Sequence, residues 1–405
     1  MLFSIPLALI TLLLASSATA RIAPKVFIIS MFDPEAEIWW NKPEFDILAN
    51  NITVPGFSPL FPDAHCTADG EICQLVTGEA EINAAITLTA LTLSPSFDLT
   101  KTYFLIGGIG GINPEVATVS SVTFARYAVQ VALQYEFDIR ELPSNYTTGY
   151  VPQGSTRPDE YPSSIYGTEV FEVNNELRHI AANFARKATL NDSAEAIAYR
   201  ALYATNETGG GIYAAGAAPP TVVECDVATS DAYFSGKLLG EAFSNYTTLV
   251  TNGTGVYCNT AQEDNASLEA LIRAHAAKLV DFSRIIIMRT ASDMDRPYPG
   301  QEATENLFWA NQGAFTPAVE NIYLAGVKIV EGILGGWNST FERGVNATNY
   351  VGDIFGTIGG TPDFGPGTVF EGDQASLSRR GMMKRTLKKG KQMKGKRGFV
   401  YKLRR

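Results

Sequence analysis

The sequence predicts a single α/β domain of about 355 residues, Arg21 to Ala375, with helices packed on both faces of a mostly parallel sheet. Three observations carry this. Continuous apolar runs such as Val26 to Ser30 (VFIIS) and Ser283 to Arg289 (SRIIIMR) read as strands buried on both faces. Helical segments alternate with those runs along the chain instead of following them in a block. Neither an internal repeat nor a Pro/Ser-rich linker divides the stretch.

The elements follow in order. Val26 to Ser30 opens the sheet, and Ile72 to Val76 is a second strand. Ala80 to Leu93 (AEINAAITLTALTL) is a helix, and Thr102 to Ile106 (TYFLI) is a strand that ends in the glycine turn Gly107 to Gly111. Helices are expected at Glu169 to Ala188 and Ala194 to Tyr203, and short strands at Thr221 to Cys225 and Gly255 to Thr260. Ser267 to Leu279 is a helix, Ser283 to Arg289 the last buried strand, and Pro317 to Leu334 a closing amphipathic helix. In sheets of this kind ligands bind beyond the carboxyl ends of the strands.

The ends of the chain suggest a compartment. Leu2 to Ala15 is an apolar run leading to Ser16-Ser17-Ala18-Thr19-Ala20, with Ala at the −3 and −1 positions of a cut before Arg21. That pattern reads as a secretory signal over residues 1–20, too short for an anchor. No later window offers about 18 uninterrupted apolar residues, so the mature chain is expected to be soluble and unable to cross a bilayer alone. Nine Asn-x-Ser/Thr sequons, at Asn51, Asn145, Asn191, Asn206, Asn245, Asn252, Asn265, Asn338 and Asn346, point to a secreted glycoprotein whose used sites lie on the surface.

Four cysteines fit an oxidising compartment and allow three pairings. Cys66 and Cys73 flank a short polar loop, which favours a local bridge and leaves Cys225 with Cys258. Only three histidines occur, none with a partner at ligand spacing, so neither a metal nor a cofactor is expected. Thirteen of the 32 Lys and Arg lie between Arg379 and Arg405, which leaves 19 against 42 acids and a body near −23. Such a body disfavours nucleic-acid polymers. Residues 376–405 read as a basic, disordered tail with dibasic pairs open to secretory proteases.

Polar clusters follow the strand ends: Met31-Phe32-Asp33-Pro34-Glu35, the glycines, Ser230-Asp231-Ala232-Tyr233-Phe234, Gln262-Glu263-Asp264, and Arg289-Thr290-Ala291-Ser292-Asp293-Met294-Asp295-Arg296-Pro297. Together with the stretches TGEAEINAAITLTAL, FLIGGIGGINP, NTAQEDNASLEAL and RTASDMDRPYPGQ, they resemble the fungal purine nucleoside permease family from about Lys25 to Trp337. Despite its name, that family resembles the nucleoside phosphorylases and the methylthioadenosine-type nucleosidases. The resemblance implies a three-layer α/β/α fold with a mixed sheet that curls toward a barrel.

It also implies roles. Glu35 would hold the attacking water, and Gly107 and Gly108, with the rest of the glycine turn, would lie against the sugar. Tyr233 would stack on the purine, Glu263 would bind the ribose hydroxyls, and Asp293 would protonate the purine N7. Breaking an N-glycosidic bond builds positive charge on the sugar and negative charge on the leaving purine, so an acid at N7 and a carboxylate on water suit the chemistry. A carboxylate on two vicinal hydroxyls fixes the sugar.

Phosphorolysis requires cations for a dianion. Leu105 stands where the phosphorylases carry an Arg, which favours water as the nucleophile. The blander readings are a solvating Glu35, a core Tyr233, a Glu263 exposed beside the Asn265 sequon, and a surface Asp295–Arg296 pair.

The expected function is therefore a secreted purine nucleosidase that supports nucleoside uptake. The alternatives are a non-catalytic component of purine nucleoside transport, which would require a membrane transporter partner, and a phosphate-dependent phosphorylase. Homo-oligomerisation stays open.

Overall fold

The computed structural model describes residues 21–164, 166–204 and 211–354. The expected signal, the basic tail and Asn206 lie outside them.

Alternation along the central strands builds three layers. Phe27, Ile29, Phe104, Ile106, Ile285 and Ile287 point to one side, where Leu88, Leu91, Leu268 and Leu271 of the helices Glu81–Leu93 and Asp264–Ala276 cover them. Val26, Ile28, Leu105, Ile286 and Met288 point to the other, under Leu177, Ile322 and Ile329 of Asn175–Ala185 and Phe315–Gly335. Each such side chain contributes about 1.5–3 kcal/mol when fully buried. The two apolar faces, rather than helix propensity, therefore hold the helices in place.

The sheet is mixed, as the family resemblance implies, and not mostly parallel as the apolar runs alone suggest. Tyr103–Ile112 is its pivot, parallel to Val26–Ser30 and to Ile285–Met294, and antiparallel to Tyr257–Ala261 where Asn259 faces Ile112. One arm continues from Ile285–Met294 to Val122–Ala125. The other runs from Tyr257–Ala261 through Asp226–Thr229 to Tyr127–Gln130. Only Arg126 separates Val122–Ala125 from Tyr127–Gln130, so the arms meet in one kinked stretch and the pairing closes on itself as a partial barrel. The buried Asp226 secures the kink: Oδ1 accepts the N–H groups of Arg126 (2.9 Å) and Tyr127 (2.8 Å), and Oδ2 accepts that of Val256 (2.7 Å).

Two elements differ from expectation. Gly107 to Gly111 are not a turn: they lie inside the ten-residue strand Tyr103–Ile112, and none has a positive φ. Glycine here serves close approach, because a Cβ on Gly110 would sit 2.0 Å from the Thr260 carbonyl oxygen. The helix expected from Glu169 to Ala188 is only Asn175–Ala185, preceded by the strand Val170–Glu172 on Tyr127–Gln130. Asn174 separates them by accepting the Glu176 and Leu177 N–H groups, an N-cap that starts the helix late.

Cys66–Cys73 bridges neighbouring antiparallel strands. Cys225–Cys258 joins the end of Val222–Glu224 to Tyr257–Ala261 across 33 residues. Closing a loop of that length removes roughly 3–4 kcal/mol of entropy from the unfolded chain.

The sequons divide by burial. Asn51, Asn145, Asn191, Asn245, Asn338 and Asn346 are exposed, and Asn252 is half-buried. Asn265 corrects the expectation that it is a surface acceptor. It is 3 % exposed, its Nδ2 donates to the carbonyls of Thr168 (2.8 Å) and Glu169 (3.1 Å), and its Oδ1 accepts from Thr229 Oγ1 (2.6 Å). A glycan on Nδ2 would replace one of its two N–H donors and has no room at so buried a side chain, so glycopeptide mapping of the folded protein should find Asn265 unmodified. An occupied Asn265 would overturn that expectation.

Candidate functional site

The polar clusters that follow the strands in sequence converge on one cleft, lined by Met31, Glu35, Ile109, Tyr233, Glu263 and Asp293 among others, and enclosing about 740 Å³ with its open mouth. Each wall is the carboxyl end of a strand or the segment directly after it, as the topology requires.

Glu35 belongs to the short helix Asp33–Glu37 and is buried. Its Oε2 accepts the Met31 N–H (2.8 Å) and its Oε1 the Ile109 N–H (2.7 Å), so it links the ends of two strands. Burial pushes this carboxyl up to about 8, against the downward pull of Arg289 and the two backbone donors.

Neither Gly107 nor Gly108 lines the cleft; Ile109, Gly110 and Gly111 do. Gly107 faces Met288 and Ile322 in the core, while a Cβ on Gly108 would lie 2.0 Å from Met31 Cε and 2.5 Å from Glu35 Oε1. Gly108 thus makes room for the Glu35 carboxylate rather than touching a ligand.

Glu263 is 4 % exposed, and its neighbouring sequon does not draw it to the surface. Oε1 accepts the Ala80 N–H at 3.0 Å, and Oε2 accepts from the Arg289 guanidinium at 3.3 Å. Arg289 is buried, bonds Asp264 Oδ1 at 2.5 Å and donates to the Ile109 carbonyl at 3.2 Å. Burial would lower its pKa, but Asp264 and Glu263 raise it further. With two acceptor positions used, the carboxylate of Glu263, which lines the cleft, retains further acceptor capacity.

Asp293 lines the same cleft and is half-buried. Its Oδ1 accepts from Ser292 Oγ (2.8 Å) and its Oδ2 from the Tyr233 hydroxyl (3.3 Å). Burial raises this carboxyl above the ordinary aspartate value, the two hydroxyl donors oppose the rise, and Asp295 adds to it. Tyr233 is not core: it is 65 % exposed at the mouth of the cleft.

Asp295 and Arg296 are not a surface pair either. Both are at most 2 % exposed, bonded through Nε–Oδ1 (2.7 Å) and Nη2–Oδ2 (2.9 Å). The Tyr257 hydroxyl donates to Asp295 Oδ2 at 2.6 Å, and Arg296 reaches Glu115 at 2.9 Å. This buried network supports the strand end that carries Asp293.

The family model described as purine nucleoside permease (NUP) matches residues 23–346. The chain belongs to that family. A purine nucleoside permease of Candida albicans is 49 % identical over 348 residues, 84 % of this chain and 83 % of that one. A probable purine nucleoside permease of Schizosaccharomyces pombe is 43 % identical over 323 residues, 78 % of this chain and 90 % of that one.

Solved structures are matched more remotely. A 5′-methylthioadenosine/S-adenosylhomocysteine nucleosidase from Neisseria meningitidis, complexed with methylthio-immucillin-A, has a TM-score of 0.44 and 15 % identity, over 77 % of this chain and 99 % of that one. A futalosine hydrolase of Helicobacter pylori has a TM-score of 0.44 and 13 % identity, over 76 % and 98 %. At that distance nothing about substrate or reaction passes to this member of the family.

Three cleft features were given no role from the sequence: Arg289 and its partner Asp264, named only within their clusters, and the Ala80 N–H. Arg289 had a visible signal, a charge ending the buried run Ile285 to Met288. The Ala80 contact joins residues 183 positions apart and has none.

Proposed function

We propose that this chain binds purine nucleosides in the cleft and hydrolyses their N-glycosidic bond outside the cell, in support of nucleoside uptake. The observation that carries the reading is the convergence of three carboxyl groups in three different environments. Glu35 is buried and pushed up to about 8, Glu263 is held between an N–H and a guanidinium, and Asp293 is raised and bonded to two hydroxyls. Groups tuned apart in this way suit a water-activating base, a sugar clamp and an acid at N7. Tyr233 offers an exposed ring at the mouth for the purine face.

Water is favoured over phosphate. Arg289 is the one cation among the described residues lining the cleft, and Glu263 and Asp264 already engage it. Leu105 is fully buried against the helix side of the sheet, with no access to the cleft. Residues 1–20 and the exposed sequons support export and glycosylation.

A second reading has its own support: the relatives named above are called permeases, and no helix among the described residues is long and apolar enough to cross a membrane. On that reading the chain presents nucleosides to a membrane partner without cleaving them.

One assay separates these. The protein is incubated with adenosine, guanosine, inosine and a pyrimidine nucleoside, with and without phosphate, and base, ribose and ribose-1-phosphate are measured. Free base with ribose, unaffected by phosphate, is expected. Binding without cleavage would move the chain to the transport reading, and phosphate-dependent ribose-1-phosphate would make it a phosphorylase.

A further inference from the structure

The helix Glu81–Leu93 begins on a backbone outlier. Ala80, its first flanking residue, has φ 76° and ψ 162° and no side-chain cap. That region is essentially restricted to glycine, because a Cβ meets its own backbone there, and another residue held in it is strained. The chain uses glycine at most of its positive-φ sites, including Gly78 two residues earlier. At Ala80 it does not.

The conformation has one visible consequence. The turn from Gly78 to Ala80 aims two successive N–H groups away from the helix and toward the cleft segments. The Ala80 N–H meets Glu263 Oε1 at 3.0 Å, and the Glu81 N–H meets Asp231 Oδ1 at 2.9 Å. The helix N-terminus is thus capped by carboxylates 183 and 150 residues away, on the segments that carry Glu263 and Tyr233. Arg289 holds the other oxygen of Glu263. The two donors hold one oxygen each, which fixes the carboxylate's orientation where Glu263 lines the cleft.

We infer that Ala80 is a positioning residue: its strained backbone fixes the Glu263 carboxylate through the Ala80 N–H, in the orientation that receives two vicinal hydroxyls. The inference rests on Glu263 being the sugar ligand. Alanine rather than glycine at this position restricts the turn, so the N–H stays on target.

Ala80→Gly releases the strain and frees the turn. It should raise Tm of the unliganded protein by about 1–3 °C while weakening purine nucleoside binding about three- to tenfold. In a Glu263→Ala background the same change should leave the residual affinity unaltered, because the two substitutions act through one contact. Unchanged affinity in Ala80→Gly, or an equal loss in both backgrounds, overturns the inference.

Amide hydrogen exchange tests the contact without a ligand. Glu263→Ala should deprotect the Ala80 N–H and leave the Glu81 N–H protected by Asp231. If the wild type binds no nucleoside but this exchange pattern appears, the proposed function fails and the positioning contact stands. An Ala80 N–H equally protected with and without the Glu263 carboxylate removes the contact itself.

Discussion

Asp293→Asn should lower turnover on purine nucleosides by roughly 10²–10⁴, the range for removing a positioned acid, while nucleoside affinity changes little. The amide retains an oxygen that can accept from Ser292 Oγ or the Tyr233 hydroxyl, so the wall of the cleft is preserved. What it lacks is a transferable proton for the departing purine. Single-turnover measurements with adenosine and inosine, alongside equilibrium binding, separate the two effects. A variant that keeps wild-type turnover would remove Asp293 from the chemistry, and one that loses binding and turnover equally would make it a ligand of the ground state.

Glu35→Gln should cost at least about 10²-fold in turnover, since an amide cannot take a proton from water. The pH dependence identifies which residue does what. The reaction requires Glu35 ionised and Asp293 protonated; burial pushes Glu35 up to about 8 and raises Asp293 as well. The wild-type kcat/KM should therefore be a bell whose two limbs are set by these two carboxyls. In Asp293→Asn only ionised Glu35 is needed, so the residual rate should rise with pH through about 8. In Glu35→Gln only protonated Asp293 is needed, so the residual rate should fall as Asp293 ionises. Opposite slopes in the two variants would establish the assignment; parallel slopes would refute it.

The same shift acts on folding. The folded pKa of Glu35 lies above the ordinary 4.5, so between 4.5 and about 8 the native state keeps a proton that the unfolded chain has released. Its contribution to stability is full below 4.5 and is lost as pH rises through about 8. Glu35→Gln should remove that decline.

The sequence by itself determined the class of fold, the family and most of the residues brought to the cleft. Runs such as VFIIS and SRIIIMR are apolar on both faces because helices cover both sides of the sheet, and that periodicity is local. The segments around Glu35, Tyr233, Glu263 and Asp293 follow strand ends, where an α/β sheet gathers its ligand contacts, so adjacency in sequence to a strand was enough to place them.

Only the tertiary structure decided the rest, since it depends on neighbours distant in sequence. Whether GGIGG turns or stays extended depends on Thr260, Met31 and Glu35 pressing against the missing Cβ atoms. Asn265 carries a sequon but is spent on Thr168, Glu169 and Thr229. Asp295 and Arg296 are adjacent charges that would suit a surface, yet Tyr257 and Glu115 complete their bonds inside. Arg289 became part of the site because Asp264 and Glu263 neutralise it in a place where a lone charge would be too costly to bury. Burial and partnership are set by the packed whole, and a single chain read residue by residue carries no measure of either.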